Sequence, residues 1–376
     1  MVARPLLVLA VTGSAVHLGL VIATRSISSV AFGLVAGVVA DRFDRKSVLL
    51  GTKSIVFGLS GLFAMLVVLD IIQLWHIYVL TFLRGATQAF DQPARRAMIP
   101  SIVPPELVTN AMALSSGSMQ ATRILGAGGA GAIIAVGGLG AAFVAIVIVY
   151  AAAVYLTWQL KTPTHSHKAY SGVRSLGYDL VEGLQFAWSS KTIRGIVLIA
   201  AGYFTFAVVF IYVFGPLIAK QVMGIGDSGF GYMMSAMGIG GILGTFVLAA
   251  INPVRGRGYL LIGALVAIGV MLVGVTAATY VDSVVLVFFM IGLLGLSQSW
   301  LAPLVNSALL QEAPEDMRGR MLGLLSLDRA MATAGGAIAG FLAAAIGPQM
   351  AQLIFGAACI ITGAAMLSYG PMRRIE

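Results

Sequence analysis

The residues of this sequence that could do chemistry are charged or amide side chains inside long apolar runs. Arg84 has Gln88 one helical turn further along and Asp91 nearly two turns along, so the three share one helix face. A charged group in an apolar run normally faces a cavity or pairs with another polar group. The candidate cavity, substrate or coupling residues are Arg25, Arg84, Gln88, Arg123, Gln298, Asp328 and Arg329.

The composition indicates that the elements positioning these residues lie in lipid. Of the 376 residues, 59% are hydrophobic and only 10% are charged, and the mean hydropathy is +0.98. An ordinary soluble domain carries about 25% charge, so we exclude that class, together with disordered chains and disulfide scaffolds. The net charge of +9 fits basic cytoplasmic loops better than a nucleic-acid surface. The predicted partner is therefore a lipid bilayer, with no nucleic acid.

Long apolar runs predict an all-α integral membrane protein. A spanning helix needs about 20 mostly apolar residues, and the short alternating strands of a membrane barrel are not evident. Residues 1–12 are too short to cross, so we expect them to end a first helix whose beginning is missing, through a fragment or a misassigned start. The eleven complete spans are predicted near 16–40, 48–69, 75–94, 107–136, 139–160, 193–219, 226–250, 258–280, 284–310, 319–346 and 349–370.

Lys and Arg are distributed unequally between the loops on the two sides of these spans. The loops of one side contain only Lys220. By the positive-inside rule the opposite side, with the C-terminus, faces the cytoplasm, which predicts a multi-pass protein of the inner or plasma membrane. The basic residues on that side are Arg42, Arg45, Lys46, Lys53, Arg95, Arg96, Lys161, Lys168, Arg174, Lys191, Arg194, Arg255, Arg257, Arg318, Arg320, Arg373 and Arg374.

Matching residues recur at an offset of 210 positions. Gln88 corresponds to Gln298, and Pro93 to Pro303. Because the offset relates helices of the same direction, it predicts two parallel repeats, each a six-helix bundle, about an axis along the membrane normal. The predicted divisions are an N-terminal bundle at 1–160 with a truncated first helix, a cytoplasmic central loop with an interfacial helix at 161–192, and a C-terminal bundle at 193–376.

A charged motif, Gly37-Val-Val-Ala-Asp41-Arg42-Phe-Asp44-Arg45-Lys46, occupies the predicted cytoplasmic turn between the second and third helices. It resembles the loop motif of the major facilitator superfamily. A plain basic loop with two incidental carboxylates is the alternative, but spacing, glycine and location together favour the motif. The resemblance implies a breakable charge network that holds the cytoplasmic gate shut in the outward-open state. Its members would be Gly37, Asp41, Arg42, Arg45, Lys46 and Asp91.

Two further segments are similar to the branch of that superfamily containing the enterobactin exporter and macrolide-efflux permeases. They are Arg84-Gly-Ala-Thr-Gln-Ala-Phe-Asp91-Gln-Pro93-Ala-Arg95-Arg96 and Arg123-Ile-Leu-Gly126. The resemblance implies a secondary active transporter working by alternating access, as a monomer. Its expected activity is export of a small amphipathic compound, a siderophore or a drug, coupled to an ion that we expect to be the proton.

The roles of the intramembrane polar and aromatic residues stay open. The arginines could attract an anionic substrate, such as a catechol or a carboxylate, or could pair internally. Asp328, the one carboxylate expected near mid-bilayer, could couple protons or could neutralise a buried arginine. A lipid-facing position is favoured over a substrate-facing one for the aromatic stripe of Tyr203, Phe204, Phe206, Phe210 and Tyr212.

Catalytic and cofactor signatures give little support to an enzyme. Gly126-Ala-Gly128-Gly-Ala-Gly131 matches a dinucleotide fingerprint but has no preceding strand. We predict helix packing there, as for the pairs Gly33/Gly37, Gly240/Gly244 and Gly336/Gly340. His165 and His167 are interpreted as solvated residues, with no metal and no cofactor expected. The alternatives are a membrane enzyme without a recognisable motif and a transport-inactive fragment of a permease.

Overall fold

The computed structural model describes residues 3–104, 107–160, 185–251, 256–314 and 328–374, and every regular element within those ranges is helical. The all-α prediction is therefore confirmed. Eight stretches of the described chain are long and apolar enough to cross a membrane, and the predicted total of eleven complete spans stays a prediction. The helices are α1 (Ala3–Thr12), α2 (Ala15–Arg42), α3 (Arg45–Val68), α4 (Leu74–Ile102), α5 (Val108–Gln159), α6 (Lys191–Val222), α7 (Gly226–Ile251), α8 (Arg257–Tyr280), α9 (Val284–Glu312), α10 (Asp328–Ile346) and α11 (Pro348–Ser368).

Helix α5 contains the predicted boundary between two spans. Gly138 has φ 71° and ψ −173°, a backbone conformation that is essentially restricted to glycine. It divides α5 into segments at 108–137 and 139–159, which we call α5a and α5b. The predicted break between the span ending at 136 and the span beginning at 139 is thus confirmed. The turn falls on a glycine because glycine has no Cβ atom and adopts this conformation without a steric penalty.

Helix packing follows the predicted repeat. In the first half α2 packs against α4, and α3 packs against α4 and α5; in the second half α8 packs against α9 and α11, and α9 against α7. The most extensive contacts between the halves in the described ranges are made by two pairs: α2 with α10, and α5 with α7. A shift of 210 positions places α2 on α7 and α5a on α10. The two pairs are therefore equivalent, as a two-fold axis between parallel repeats requires.

Glycines bring α5a and α7 into backbone contact. A Cβ atom added to Gly231 would lie 2.6 Å from the carbonyl oxygen of Gly131, and one added to Gly131 would clash with the carbonyl of Gly231. Real Cβ atoms essentially never approach heavy atoms within 3.0 Å. Gly131, from the sequence that matches a dinucleotide fingerprint, is thus a helix-packing residue, as predicted.

The equivalent crossing of α2 and α10 is built in the same way. A Cβ atom on Gly19 would lie 2.6 Å from the Gly336 oxygen, and one on Gly340 would lie 2.7 Å from the Ala15 oxygen. Packing through Gly336 and Gly340 is as predicted. The expectation for Gly33 is wrong in this conformation, because a Cβ atom there would meet nothing within 4 Å.

Both crossings lie at the same end of the molecule. Gly19 and Gly231 lie near the starts of α2 and α7, whereas Gly131 and Gly340 lie near the ends of α5a and α10. We call this end, which includes the turn between α1 and α2, the Gly13 end. The opposite end, where α2 ends and α3, α6 and α8 begin, is called the basic end.

Polar groups add a further contact between the halves at the Gly13 end. The Nε2 of Gln221, in α6, donates to the carbonyl oxygen of Gly13 over 3.1 Å. Beside it, Lys220 Nζ lies 2.6 Å from Asp227 Oδ1. The Gly13 end is therefore held closed by backbone contacts and by this hydrogen bond.

Aromatic residues of α6 contradict their predicted position in lipid. Tyr203 and Phe210 are buried, and Phe206 lies edge-on to Phe355 with ring centroids 5.5 Å apart. Phe204, Phe206 and Tyr212 are partly buried against the same core. The lipid-facing interpretation was wrong because α6 is apolar on all sides and packs against several helices of its own half, including α10, and against α2 of the other half. Lipid-facing surfaces instead expose Ile148, Phe246, Val285 and Ile361.

Candidate functional site

Two of the predicted arginines make hydrogen bonds inside the first half. Arg25 Nη2, in α2, donates to Gln88 Oε1, in α4, over 2.7 Å. Arg84 Nη1 donates to Ser60 Oγ over 3.2 Å, and its Nη2 donates to the Tyr150 hydroxyl over 2.8 Å. The polar stripe predicted on α4 is divided in this conformation, because Arg84 points to α3 and α5b whereas Gln88 points to α2.

Close approach of α2 and α4 holds Arg25 in place. A Cβ atom on Gly85 would clash with the Arg25 carbonyl oxygen, so only glycine allows this spacing. Ser28 Oγ donates to the Phe82 carbonyl over 2.6 Å between the same two helices. The guanidinium of Arg25 is therefore carried by a rigid pair of helices.

Arg4 joins these two arginines, and the candidate set based on the sequence did not include it. Its guanidinium lies over the Phe63 ring, 5.2 Å from the centroid, and within electrostatic range of Arg25 and Arg84. The sequence does contain an indication of this role, because Arg4 is a charged residue within an apolar run. It was overlooked because the first twelve residues are too short to span a membrane.

Arg4, Arg25 and Arg84 lie at one depth, and we call them the arginine layer. Arg25 and Arg84 each follow the start of their helix by ten residues, which is about 15 Å at 1.5 Å per residue. Arg4 precedes the end of α1 by eight residues, about 12 Å. All three are therefore about halfway through a hydrocarbon core of about 30 Å.

Neutral groups surround the arginine layer in the part of the chain that the structure describes. Its hydrogen-bond partners are a serine, a glutamine and a tyrosine. The ion pairs within the described ranges join Lys53 to Asp91 and Lys220 to Asp227, and neither includes an arginine of the layer. Such a group of cations in a low-dielectric region can bind an oxyanion strongly.

The gate motif predicted from the sequence spans the turn between α2 and α3 at the basic end. Gly37, Asp41 and Arg42 belong to the last turns of α2, and Arg45 and Lys46 begin α3. The side chains of Asp41 and Arg42 lie outside the described part. Asp91 Oδ1 lies 2.5 Å from Lys53 Nζ, so in this conformation Asp91 has an ion-pair partner in α3 that the proposed network did not include.

Asp44, the second carboxylate of the motif, caps α3. Its Oδ2 accepts from Ser47 Oγ over 2.8 Å and from the Ser47 backbone N over 2.9 Å. These hydrogen bonds, the side-chain bond first, lower the pKa of Asp44 below its ordinary value. The carboxylate is a helix cap here, which separates its role from that of Asp41.

Replacing Asp44 with alanine should loosen the first turn of α3. Loss of an N-cap costs about 1 kcal/mol, so the Ser47 amide should exchange hydrogen about fivefold faster at pH 7. Because the folded-state pKa is lowered, the stabilisation is present above the ordinary pKa of Asp and is lost as pH falls through the lowered value. Asp44→Asn, which keeps a capping oxygen, is the control; equal exchange in wild type and Asp44→Ala would contradict the capping role.

The second half provides one described candidate. Gln298 Nε2, in α9, lies 3.4 Å from the Ala207 carbonyl oxygen of α6, so both Gln298 and its repeat partner Gln88 contact a neighbouring helix. Arg123 lies in α5a, and Asp328 and Arg329 lie in α10; their side chains lie outside the described part. So do His165, His167 and the predicted central loop to residue 184, which is followed by a helical turn at 185–189.

The described residues include no candidate metal cluster, and a groove found among them is apolar. Groups of three or more His, Cys, Asp or Glu that could hold a metal are absent among those residues. A groove between α3 and α5b is lined by apolar and aromatic side chains, Phe57, Ala151, Val154, Tyr155 and Trp158. Tyr155 and Trp158 are exposed, so this groove belongs to the outer, lipid-facing surface and not to a site for polar solutes.

Comparison of the sequence with known protein families identifies the family to which the chain belongs. The family model described as transmembrane secretion effector, a major facilitator family, matches residues 1–376. The chain belongs to this major facilitator family. The resemblance read from the charged motif is thereby confirmed, and the protein is a membrane transporter and not an enzyme.

Characterised relatives of this transporter move siderophores or drugs according to their names. The staphyloferrin A transporter of Staphylococcus aureus (strain NCTC 8325 / PS 47) is 27% identical over 331 residues, covering 86% of this chain and 79% of the relative. Macrolide efflux protein A of Streptococcus pyogenes is 27% identical over 114 residues, covering 30% and 28%. The multidrug efflux pump Tap of Mycolicibacterium fortuitum is 24% identical over 202 residues, covering 52% and 47%.

Solved structures confirm the major facilitator fold. A crystal structure of a D-xylose–proton symporter superposes with a TM-score of 0.71 at 14% identity, covering 96% of this chain and 89% of the symporter. A bacterial homologue of the human lysosomal transporter Spinster, in an inward-facing and unoccupied conformation, gives 0.70 at 13% identity, covering 99% and 94%. The family and the fold together show a multi-pass membrane protein of the major facilitator type, a transporter of small molecules in contact with lipid.

Proposed function

We propose that this transporter exports a small amphipathic compound, a siderophore or a drug, by proton-coupled alternating access. The observation that carries the proposal is the pair of equivalent glycine crossings at the Gly13 end. Two helix pairs related by the repeat form a symmetric contact about which the halves can rock. Substrate would bind near the midplane, at the depth of the arginine layer.

The charge distribution supports a direction for this cycle. If the basic end faces the cytoplasm, as the positive-inside rule predicts, the C-terminus is cytoplasmic and the closed Gly13 end faces outward. The conformation described here then takes up substrate from the cytoplasm. The second state would close the basic end, with Asp41, Arg42, Arg45, Lys46 and Asp91 forming the gate.

A single chain supplies both sides of the rocking contact, which supports a monomeric transporter. The N-terminal bundle at 1–160 and the C-terminal bundle at 193–376 would move as two bodies, joined by the loop at 161–192. For proton coupling we propose Asp328, with Arg123 and Arg329 as its partners in the charge balance, because Asp328 lies in α10, one of the two helices of a crossing.

Transport into everted membrane vesicles tests the proposal. Energised vesicles containing the protein should accumulate at least one compound of a panel made of a citrate-type siderophore, a catechol siderophore and a macrolide. Accumulation should fall to the level of vesicles without the protein when a protonophore collapses the gradient. Accumulation that survives the protonophore would contradict proton coupling, and no accumulation of any panel member would contradict export of this substrate class.

A further inference from the structure

We propose that the arginine layer, Arg4, Arg25 and Arg84, binds the carboxylate groups of an anionic organic substrate in the middle of the membrane. The inference rests on the proposed function and names the substrate class. It is carried by three observations on the described residues: a common depth, neutral partners, and unused hydrogen-bond donors.

Several N–H donors of the three arginines make no hydrogen bond within the described residues. An arginine has five N–H donors in a planar fork that matches the two oxygens of a carboxylate. In the described contacts Arg84 uses one N–H on Ser60 and one on Tyr150, and Arg25 uses one on Gln88. The Arg4 guanidinium lies over the Phe63 ring and makes none of the described hydrogen bonds, so its N–H donors can serve a ligand.

The positive charges of the arginine layer are not balanced by the side chains that the structure describes around it. Like charges repel strongly where water is scarce, yet three guanidinium groups lie at one level between helices of the first half. Ser60, Gln88 and Tyr150 orient Arg25 and Arg84 but bring no negative charge, and the described ion pairs lie elsewhere. A carboxylate substrate would offset part of this charge, or all of it with three carboxylate groups, and would accept hydrogen bonds from the donors that the described contacts leave unused.

The same arrangement predicts that the arginine layer binds neutral analogues more weakly than carboxylates. An ester of similar shape offers carbonyl acceptors but no negative charge, so the charges of the guanidinium groups stay uncompensated. Phosphate has the charge but lacks an apolar body, and the layer is walled by aromatic rings at Phe63 and Tyr150. We therefore expect organic carboxylates to bind in preference to inorganic phosphate.

A structural role for the arginines is the competing explanation, and the chain contains its own control. Arg194 donates to the Tyr369 hydroxyl over 2.7 Å and lies 5.7 Å from that ring centroid. Arg84 has the same relation to Tyr150, at 2.8 Å and 5.0 Å. Arg194 belongs to the basic end, away from the layer, so Arg194→Gln removes an equivalent arginine–tyrosine contact without touching the proposed site.

Binding to the full chain in lipid nanodiscs tests the site. The probes are citrate and 2,3-dihydroxybenzoate, each with its neutral partner, triethyl citrate and catechol, and inorganic phosphate. At least one carboxylate should bind saturably with a Kd below about 1 mM, whereas the neutral partners should not. Arg4→Gln, Arg25→Gln and Arg84→Gln should each weaken that binding about ten- to hundredfold, and Arg194→Gln should leave it unchanged.

Three results would overturn the inference: no carboxylate binding, binding of phosphate alone, or equal binding by wild type and the layer variants. If Arg84→Gln does not fold, Arg4→Gln decides, because Arg4 makes none of the described hydrogen bonds. Transport into vesicles separates this test from the test of the proposed function. If an uncharged macrolide accumulates but no carboxylate binds, the export function is supported and the anion site is contradicted. If a carboxylate binds but nothing is transported, the anion site is supported and the export function is contradicted.

Discussion

Asp41→Asn should abolish or sharply slow transport while the protein still reaches the membrane in normal amount. The substitution keeps the size of the side chain but removes its negative charge from a turn that contains Arg42, Arg45 and Lys46. In the state that closes the basic end, these cations must come together with the second half. Without the Asp41 carboxylate their repulsion is less well balanced, so that state is disfavoured and the cycle stalls.

Asp44→Asn is the matched control for this prediction. It removes the same charge three residues along, but Asn caps a helix about as well as Asp, and Asp44 contacts its own helix start. Rates are compared in everted vesicles at equal protein content. Full activity of Asp41→Asn would remove the proposed gate, and equal loss in both variants would show that net loop charge matters and the motif position does not.

Gly131→Ala should lower transport at least about tenfold and open the Gly13 end. The new methyl group would meet the Gly231 backbone, and overpacking of this kind costs about 1–3 kcal/mol. The cost falls only on the state in which α5a and α7 touch. The population should therefore shift by about ten- to hundredfold away from the conformation described here. Gly231→Ala should act in the same direction, because the contact is reciprocal.

Gly129→Ala is the control from the same helix, since a Cβ atom there would meet nothing within 4 Å. Cys359 is the only cysteine of the sequence, so a Cys359→Ser background allows one reporter cysteine at Ser14, beside the Gly13 turn. Labelling of that cysteine by a membrane-impermeant maleimide should rise in Gly131→Ala and not in Gly129→Ala. Unchanged labelling and transport in Gly131→Ala would mean that the crossing is not a moving contact.

Helix positions were largely predictable, because an apolar run of about 20 residues is a strong signal and a break at Gly138 needs only the backbone freedom of glycine. The depth of Arg25 and Arg84 was predictable for the same reason. Their partners were not, since hydropathy is silent on which helices become neighbours. Arg4 was missed because a ten-residue helix did not qualify as a span.

The sequence by itself determined the all-α membrane class, the two-fold repeat and the superfamily, since these follow from the order of apolar and charged residues along the chain. The tertiary structure decided which faces are buried, which glycines touch and which arginines share one level. The physical reason is that lipid and protein interior are both apolar, so hydropathy marks a helix as embedded without distinguishing its lipid face from its packed face. Phe210 and Gly131 could be assigned to the core and to a crossing only when the helices were brought together.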